Sequence, residues 1–219
     1  MKLFVRSLVT ASAAAALLVP AAPGLAQHTG HVAAVQATAG AKVAETGAAL
    51  RDLWVGHIFW VRNVVTTTLA GNKEAATAAE KEVVANAKAI AASIEPFYGK
   101  AASDELFRLL AGHYGAVKQY LEATVAGNKS SQDAALKNLT GNANEIAKFL
   151  SGANPNLPLD TLNGLLLAHG GHHIQEIQQL KSRQYAQEGQ TWEAMKKHMF
   201  VIADALTGAI AKQFPARFS

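Results

Sequence analysis

Apolar residues recur along most of the chain at the three- and four-residue spacing of an α-helix, beginning at about Ala48. No stretch shows the strict alternation of apolar and polar residues that a half-buried strand requires. The pattern is clearest in the first helical stretch, where one face carries Leu50, Leu53, Trp54, Val61 and Val64. We therefore predict an all-α protein.

Glycine, asparagine and proline divide this pattern into six helices. Gly71 can adopt the left-handed conformation that ends a helix, and Asn72 can cap the next one. The same Ala-Gly-Asn-Lys run returns at residues 126–129. A polar link containing Gly189 separates the last two helices. The predicted helices run from about Ala48 to Ala70, from Asn72 to before Pro96, from Ser103 to Ala126, from Asn128 to before Asn154-Pro155, from Leu159 to Ser182 and from Thr191 to Phe214.

One histidine stands in the same apolar setting in the first, third and fifth helices. These residues, His57, His113 and His169, follow one another at intervals of 56 residues. The interval predicts a six-helix bundle built from three helical-hairpin repeats of about 56 residues each. An open solenoid is the alternative, but the low content of charged residues, 16%, and the alanine-rich faces favour a closed bundle.

The N-terminal residues have the pattern of a secretory signal peptide. Lys2 and Arg6 precede an apolar run, and small residues lead to a cleavage site near Ala26. We predict a signal peptide over residues 1–26, a flexible segment over 27–47 and one helical domain over 48–219, in a periplasmic or secreted protein. Without Lys2 and Arg6, 18 of the 20 basic residues stand against 16 acidic ones, so the predicted mature chain is only weakly basic.

The amino-acid composition and the motifs of the chain exclude several classes of function. The chain contains no cysteine, which excludes disulfides, thiolate metal sites and covalently attached haem c. No basic block indicates nucleic acid, no glycine-rich phosphate loop indicates a nucleotide, and no second apolar stretch is long enough to span a membrane. A protein partner is not indicated by any motif.

The repeated histidines suggest a metal site. If the three odd-numbered helices are parallel neighbours, His57, His113 and His169 converge, and imidazoles in an apolar setting favour copper or zinc. The fifth helix adds His172, His173 and Glu176 on nearly the same face, and His169 with His173 can chelate one ion. Weaker candidates for metal ligands are His28, His31 and His198.

Two other interpretations stay open at this point. The histidines could be hydrogen-bonded core residues of a binding or structural module of the cell envelope that needs no metal. An enzyme could use an open metal position for hydrolysis, but no nucleophile elbow, paired carboxylates or general base is identifiable. We favour binding over catalysis.

Several motifs resemble those of a group of small bacterial all-helical proteins. They are Leu53-Trp54-x-x-His57-x-x-Trp60-x-Arg62, Pro96-Phe97-Tyr98-Gly99, the segment 142–147 and the closing Gln213-Phe214-Pro215. These motifs extend over nearly the whole predicted domain. The resemblance implies a helical architecture with histidines in the first, third and fifth helices, and it implies no mechanism, since the group has no established activity.

Overall fold

The computed structural model describes residues 23–219, with side chains from Gly40 onward. Throughout this range the secondary structure is helical and contains no strand, so the predicted all-α fold is confirmed. Residues 1–22, which hold most of the predicted signal peptide, lie outside the described residues. The helices are α1 (Pro23–Leu69), α2 (Lys73–Ser93), α3 (Glu95–Tyr98), α4 (Lys100–Ala126), α5 (Lys129–Ala153), α6 (Leu159–Lys181) and α7 (Tyr185–Gln213), followed by a 3-10 turn at Pro215–Arg217.

The two Ala-Gly-Asn-Lys runs form matching turns, as the sequence predicted. Gly71 and Gly127 have φ angles of 73° and 67°, which a residue with a side chain rarely adopts. The side chains of Asn72 and Asn128 then accept a hydrogen bond of 3.0 Å from the backbone N–H three residues later. Each turn therefore ends one helix and caps the next.

Three helix starts differ from the prediction. The described part of helix α1 reaches back to Pro23, well before the predicted start near Ala48, because residues 23–47, which include the segment predicted to be flexible, are rich in alanine, the strongest helix former. Helix α4 begins at Lys100, so Ser103 is not its cap and instead donates a hydrogen bond to the Ala91 carbonyl. Helix α7 begins at Tyr185 and contains Gly189, because the reversal is already complete at Arg183, which has a φ of 59°.

The six long helices form a closed bundle. Helices α1, α4 and α6 contact one another, and each of the other three bridges two of them: α2 bridges α1 and α4, α5 bridges α4 and α6, and α7 bridges α6 and α1. The contact between α7 and α1 closes the ring, which excludes an open solenoid. Within the described range, none of the helices combines the length and hydropathy needed to cross a membrane.

Two of the motifs behind the resemblance, at residues 96–99 and 213–215, meet at one end of the bundle. The Tyr98 hydroxyl donates to Gln213 and accepts from Asn154, each at 2.8 Å. The rings of Phe97 and Phe218 stack with their centroids 5.9 Å apart. These segments tie the second, fourth and last long helices together, so their role in this structure is to close the fold.

Candidate metal centre

Four histidine side chains converge in the interior of the bundle. His57 comes from α1, His113 from α4, and His169 and His173 from α6. All four are at most 4% exposed, and their ring centroids lie 4.5–6.0 Å apart. Each offers one nitrogen, and these four nitrogens all lie within 4.8 Å of one another. We call these four residues the histidine cluster.

The cluster lies between two apolar clusters of the core, which explains how the sequence produces it. On each of the three inner helices, apolar residues one turn before the histidine belong to the first apolar cluster, and those at least one turn after it belong to the second. The pairs that show this are Trp54 and Val61 on α1, Leu110 and Val117 on α4, and Leu166 and Ile177 on α6. Because the histidine has the same spacing from these apolar residues in each helix, the three imidazoles lie at the same level along the bundle axis.

The spacing on α6 produces a chelating pair. His169 and His173 are four residues apart, on one face of the helix, and their Nε2 atoms lie 3.2 Å apart. Nitrogens bound tetrahedrally to one ion at about 2.0–2.1 Å would lie roughly 3.3 Å apart. The pair already has this separation. The remaining separations between the four nitrogens are at most 4.8 Å, so they would need to shorten by no more than about 1.5 Å.

The cluster is neutral and largely without hydrogen-bond partners. Within the part of the chain that the structure describes, no partner exists for His57 Nε2, either nitrogen of His113, His169 Nδ1 or His173 Nδ1. Burial lowers the pKa of His57 to about 3 and that of His113 to about 4. Burial, followed by the neighbouring imidazoles, places the pKa values of His169 and His173 well below the usual value. Neutral imidazoles keep the lone pairs that a metal ion needs.

Glu176 lies next to the cluster but outside it. Its side chain is fully buried, and one carboxylate oxygen lies 4.0 Å from His173 Nδ1, on the ring edge that faces away from His169. This distance is too long for a hydrogen bond. Burial, reinforced by the charge of Glu188 and opposed by Arg62, raises the pKa of Glu176 to about 8. A carboxylate at this place suits the orientation of a metal-bound imidazole better than direct ligation.

An ion pair from two other helices covers Glu176. Arg62 of α1 donates two hydrogen bonds, of 2.6 and 2.8 Å, to Glu188 of α7, and its Nε lies 3.5 Å from Glu176. The guanidinium also lies over the ring of Trp192, 5.4 Å from its centroid. Sequence reasoning did not identify Glu188. Arg62 and Glu188 are 126 residues apart, and no local pattern connects them.

The other predicted ligands are not part of the cluster. His172 is partly exposed and faces His198, with their ring centroids 5.5 Å apart. His198 Nε2 donates to the Leu165 carbonyl at 2.8 Å, and His198 does not belong to the group of converging nitrogens. The side chains of His28 and His31 lie outside the described residues.

His198 shares its structural role with two asparagines that the sequence analysis did not select as site residues. Asn86 and Asn142 donate to the carbonyls of Leu53 and Leu109 at 3.0 and 2.9 Å. Each of these three bonds spans 33 residues. The matching offset of the asparagines was the available signal.

Glycine next to two of the histidines makes room for these asparagines. A methyl group at Gly56 would lie 2.9 Å from the Asn86 amide nitrogen, and one at Gly112 would lie 3.0 Å from that of Asn142. These distances are shorter than normal contacts, so only glycine fits without a shift of the amide. The residue before each histidine thus lets an outer helix approach the inner helix that carries the histidine.

Comparison with known proteins found no relative, since no protein-family model, no curated protein and no solved structure matches this chain.

Proposed function

We propose that the protein binds one transition-metal ion, copper or zinc, with His57, His113, His169 and His173 as its ligands. The observation that carries this proposal is the meeting of four buried imidazole nitrogens within 4.8 Å of one another. Unpaired buried polar atoms are unfavourable, and a shared ion would satisfy one nitrogen of every ring at once. The alternative of a hydrogen-bonded histidine core leaves His57 Nε2 without a partner among the described residues, whereas a shared ion would bind it.

The donor set favours copper and zinc over other common ions. Imidazole is a ligand of intermediate softness that suits both metals, whereas magnesium and calcium require oxygen ligands. The ligating group contains no carboxylate. Glu176 is largely protonated at pH 7 in the metal-free protein, since its pKa is raised to about 8, but a bound cation would favour its charged form and so reduce the cost of holding that cation in an apolar core.

A closed site supports binding, buffering or transport of the ion. Catalytic zinc sites usually have three protein ligands and an open position, whereas sites with four protein ligands are usually structural or storage sites. Four histidine nitrogens can occupy all four coordination positions of a tetrahedral ion. This arrangement favours a binding protein over a hydrolase.

The proposal includes three helical hairpins of about 56 residues as the basis of the site. The hydrogen bonds from Asn86, Asn142 and His198 support this repeat, because each joins the second helix of a hairpin to the first across the same number of residues.

The proposal also includes export of the protein, which is supported by the signal-peptide pattern of residues 1–26. N-terminal sequencing of protein from its own cells should start near Gln27. A chain that retains Met1 would contradict cleavage.

Titration of the metal-free protein with Zn(II) and with Cu(II) tests the binding proposal. We expect one equivalent to bind, and we expect His113→Ala to lose most of the affinity. His172→Ala is the matched control, since this residue adjoins a cluster member on α6 but lies outside the cluster. Equal affinity of His113→Ala and the unmodified protein would contradict the proposal.

A further inference from the structure

An ion in the histidine cluster is separated from solvent along the bundle axis. The first apolar cluster lies on one side of the histidines and the second apolar cluster on the other. A hydrated cation crosses such a region only at high cost, because it would lose its water without gaining polar partners. Any path for the ion should therefore run sideways, between helices, along polar side chains.

Such a set of side chains leads from the cluster to the surface. Among residues 40–219, the only buried acidic side chains are those of Glu176 and Glu188. From His173 Nδ1 it is 4.0 Å to the Glu176 carboxylate, 3.5 Å from Glu176 to Arg62 Nε, and 2.6 Å from Arg62 to Glu188. The Arg62 side chain is 37% exposed and reaches solvent. Polar side chains of α6, α1 and α7 thus form a continuous path from the histidine cluster to the side of the bundle.

We propose that the Arg62–Glu188 ion pair is a gate that closes the path of the metal ion, and that Glu176 carries the ion between the gate and His173. The proposal rests on the metal-binding function proposed above and assigns the regulation of access to the same site. The class of ligand is a divalent or monovalent transition-metal cation.

The charges suit a gate. Arg62 carries the same sign as the ion, so it repels a cation that stands between Glu188 and Glu176. Two charge-assisted hydrogen bonds to Glu188 and the contact with Trp192 hold it in place. Because the side chain is long and partly exposed, it can swing outward without unfolding a helix. Glu176 has no hydrogen bond on either oxygen within the described structure, so both oxygens can contact a passing cation once Arg62, whose Nε lies 3.5 Å away, swings outward.

A second lateral opening is less suited to a cation. A groove of about 210 Å³ between α5 and α6 is lined by Gly170 and Gly171, which directly follow His169 in the sequence. Its other lining residues are mainly aliphatic, including Leu139 and Leu166, and it offers no charged side chain. This groove is the competing path in the experiment.

The rate of metal exchange tests the gate. The purified protein is loaded with Zn(II), mixed with an excess of a coloured chelator, and followed by stopped-flow absorbance. Arg62→Met and Glu188→Gln should release zinc on the order of tenfold faster, the factor expected when a charge-assisted bond no longer opposes opening. The equilibrium affinity should stay within about threefold, since neither residue belongs to the ligating group.

The structure offers a matched control. Arg51 and Asp204 form another two-bond ion pair between α1 and α7, at 2.6–2.7 Å, on the surface. Arg51→Met removes an ion pair between the same two helices and should leave the release rate unchanged. If Arg62→Met does not fold, Glu188→Gln provides the same test with a side chain of nearly unchanged size.

Three outcomes would overturn the proposal. One is an unchanged release rate in both gate variants, and another is an equal acceleration in Arg51→Met. The third is a slower rate in Gly171→Leu, which would fill the groove, combined with an unchanged rate in Arg62→Met. In all three cases zinc still binds, so the proposed function survives. Absence of zinc binding in the unmodified protein would overturn the proposed function and the gate together.

Discussion

Acidification of the metal-free protein from pH 7 to pH 5 should lower its free energy of unfolding by more than about 1 kcal/mol. The cause is the histidine cluster. Burial holds the pKa of His57 at about 3 and that of His113 at about 4, and the other two values well below the usual one. In the unfolded chain the same imidazoles bind protons with a pKa of about 6.5.

The sign follows from which state binds more protons. Between the unfolded and folded pKa values of the histidines, only the unfolded chain is protonated, so stability falls as the pH drops below about 6.5. His57 and His113 then each contribute a loss of about 2 kcal/mol between pH 7 and pH 5, and His169 and His173 add to this loss in the same direction. Glu176, with a pKa raised to about 8, acts in the opposite direction. Its folded form binds the proton first and restores about 2–3 kcal/mol over this interval.

Urea denaturation at both pH values, in the presence of a chelator, measures this effect. A loss above about 1 kcal/mol is a measurable part of the total stability of a typical domain, so the midpoint should move to lower urea concentration. Glu176→Gln removes the opposing contribution and should increase the loss by about 2–3 kcal/mol. A change below about 1 kcal/mol in the unmodified protein would refute the description of the cluster as buried and neutral.

Two further predictions concern the surroundings of the cluster. Gly112→Ala should lower the free energy of unfolding, measured by urea denaturation, by about 1–2 kcal/mol, because its methyl group would lie 3.0 Å from the Asn142 amide nitrogen. Gly115→Ala on the same helix is the control. Its methyl group meets no atom within 4 Å, so this substitution should be neutral or stabilising by up to about 1 kcal/mol. Equal effects of the two substitutions would contradict this contact. Glu176→Gln should weaken metal binding by about tenfold or more at unchanged stoichiometry in calorimetry, because the carboxylate faces His173 Nδ1. Unchanged affinity would leave Glu176 without a role in orienting the imidazole.

The meeting of the histidines could be predicted because it depends on local periodicity. His57, His113 and His169 share one interval and one apolar setting, and His173 follows from the four-residue spacing on α6. In an α-helix, these spacings determine the level of each side chain along the helix axis and the side of the helix from which it projects. The same geometry did not distinguish His173 from its neighbour His172, since adjacent residues lie about 100° apart on a helix and the position of the next helix decides which one points inward.

Features that depend on distant parts of the chain could not be predicted. Glu188 contacts Arg62 only because α7 closes the ring against α1. The start of α7 at Tyr185 was missed because Gly189 resembles a loop residue, although the buried Glu188 and its ion pair offset the cost of a glycine in the helix. In such cases tertiary contacts override local propensity.

The metal content of protein purified from its own cells, without added metal or chelator, tests the central claim most directly. We predict close to one equivalent of copper or zinc per chain. The quadruple alanine variant of His57, His113, His169 and His173 should contain almost none. Protein that is folded but carries no transition metal, and that does not gain stability when copper or zinc is added, would contradict the account.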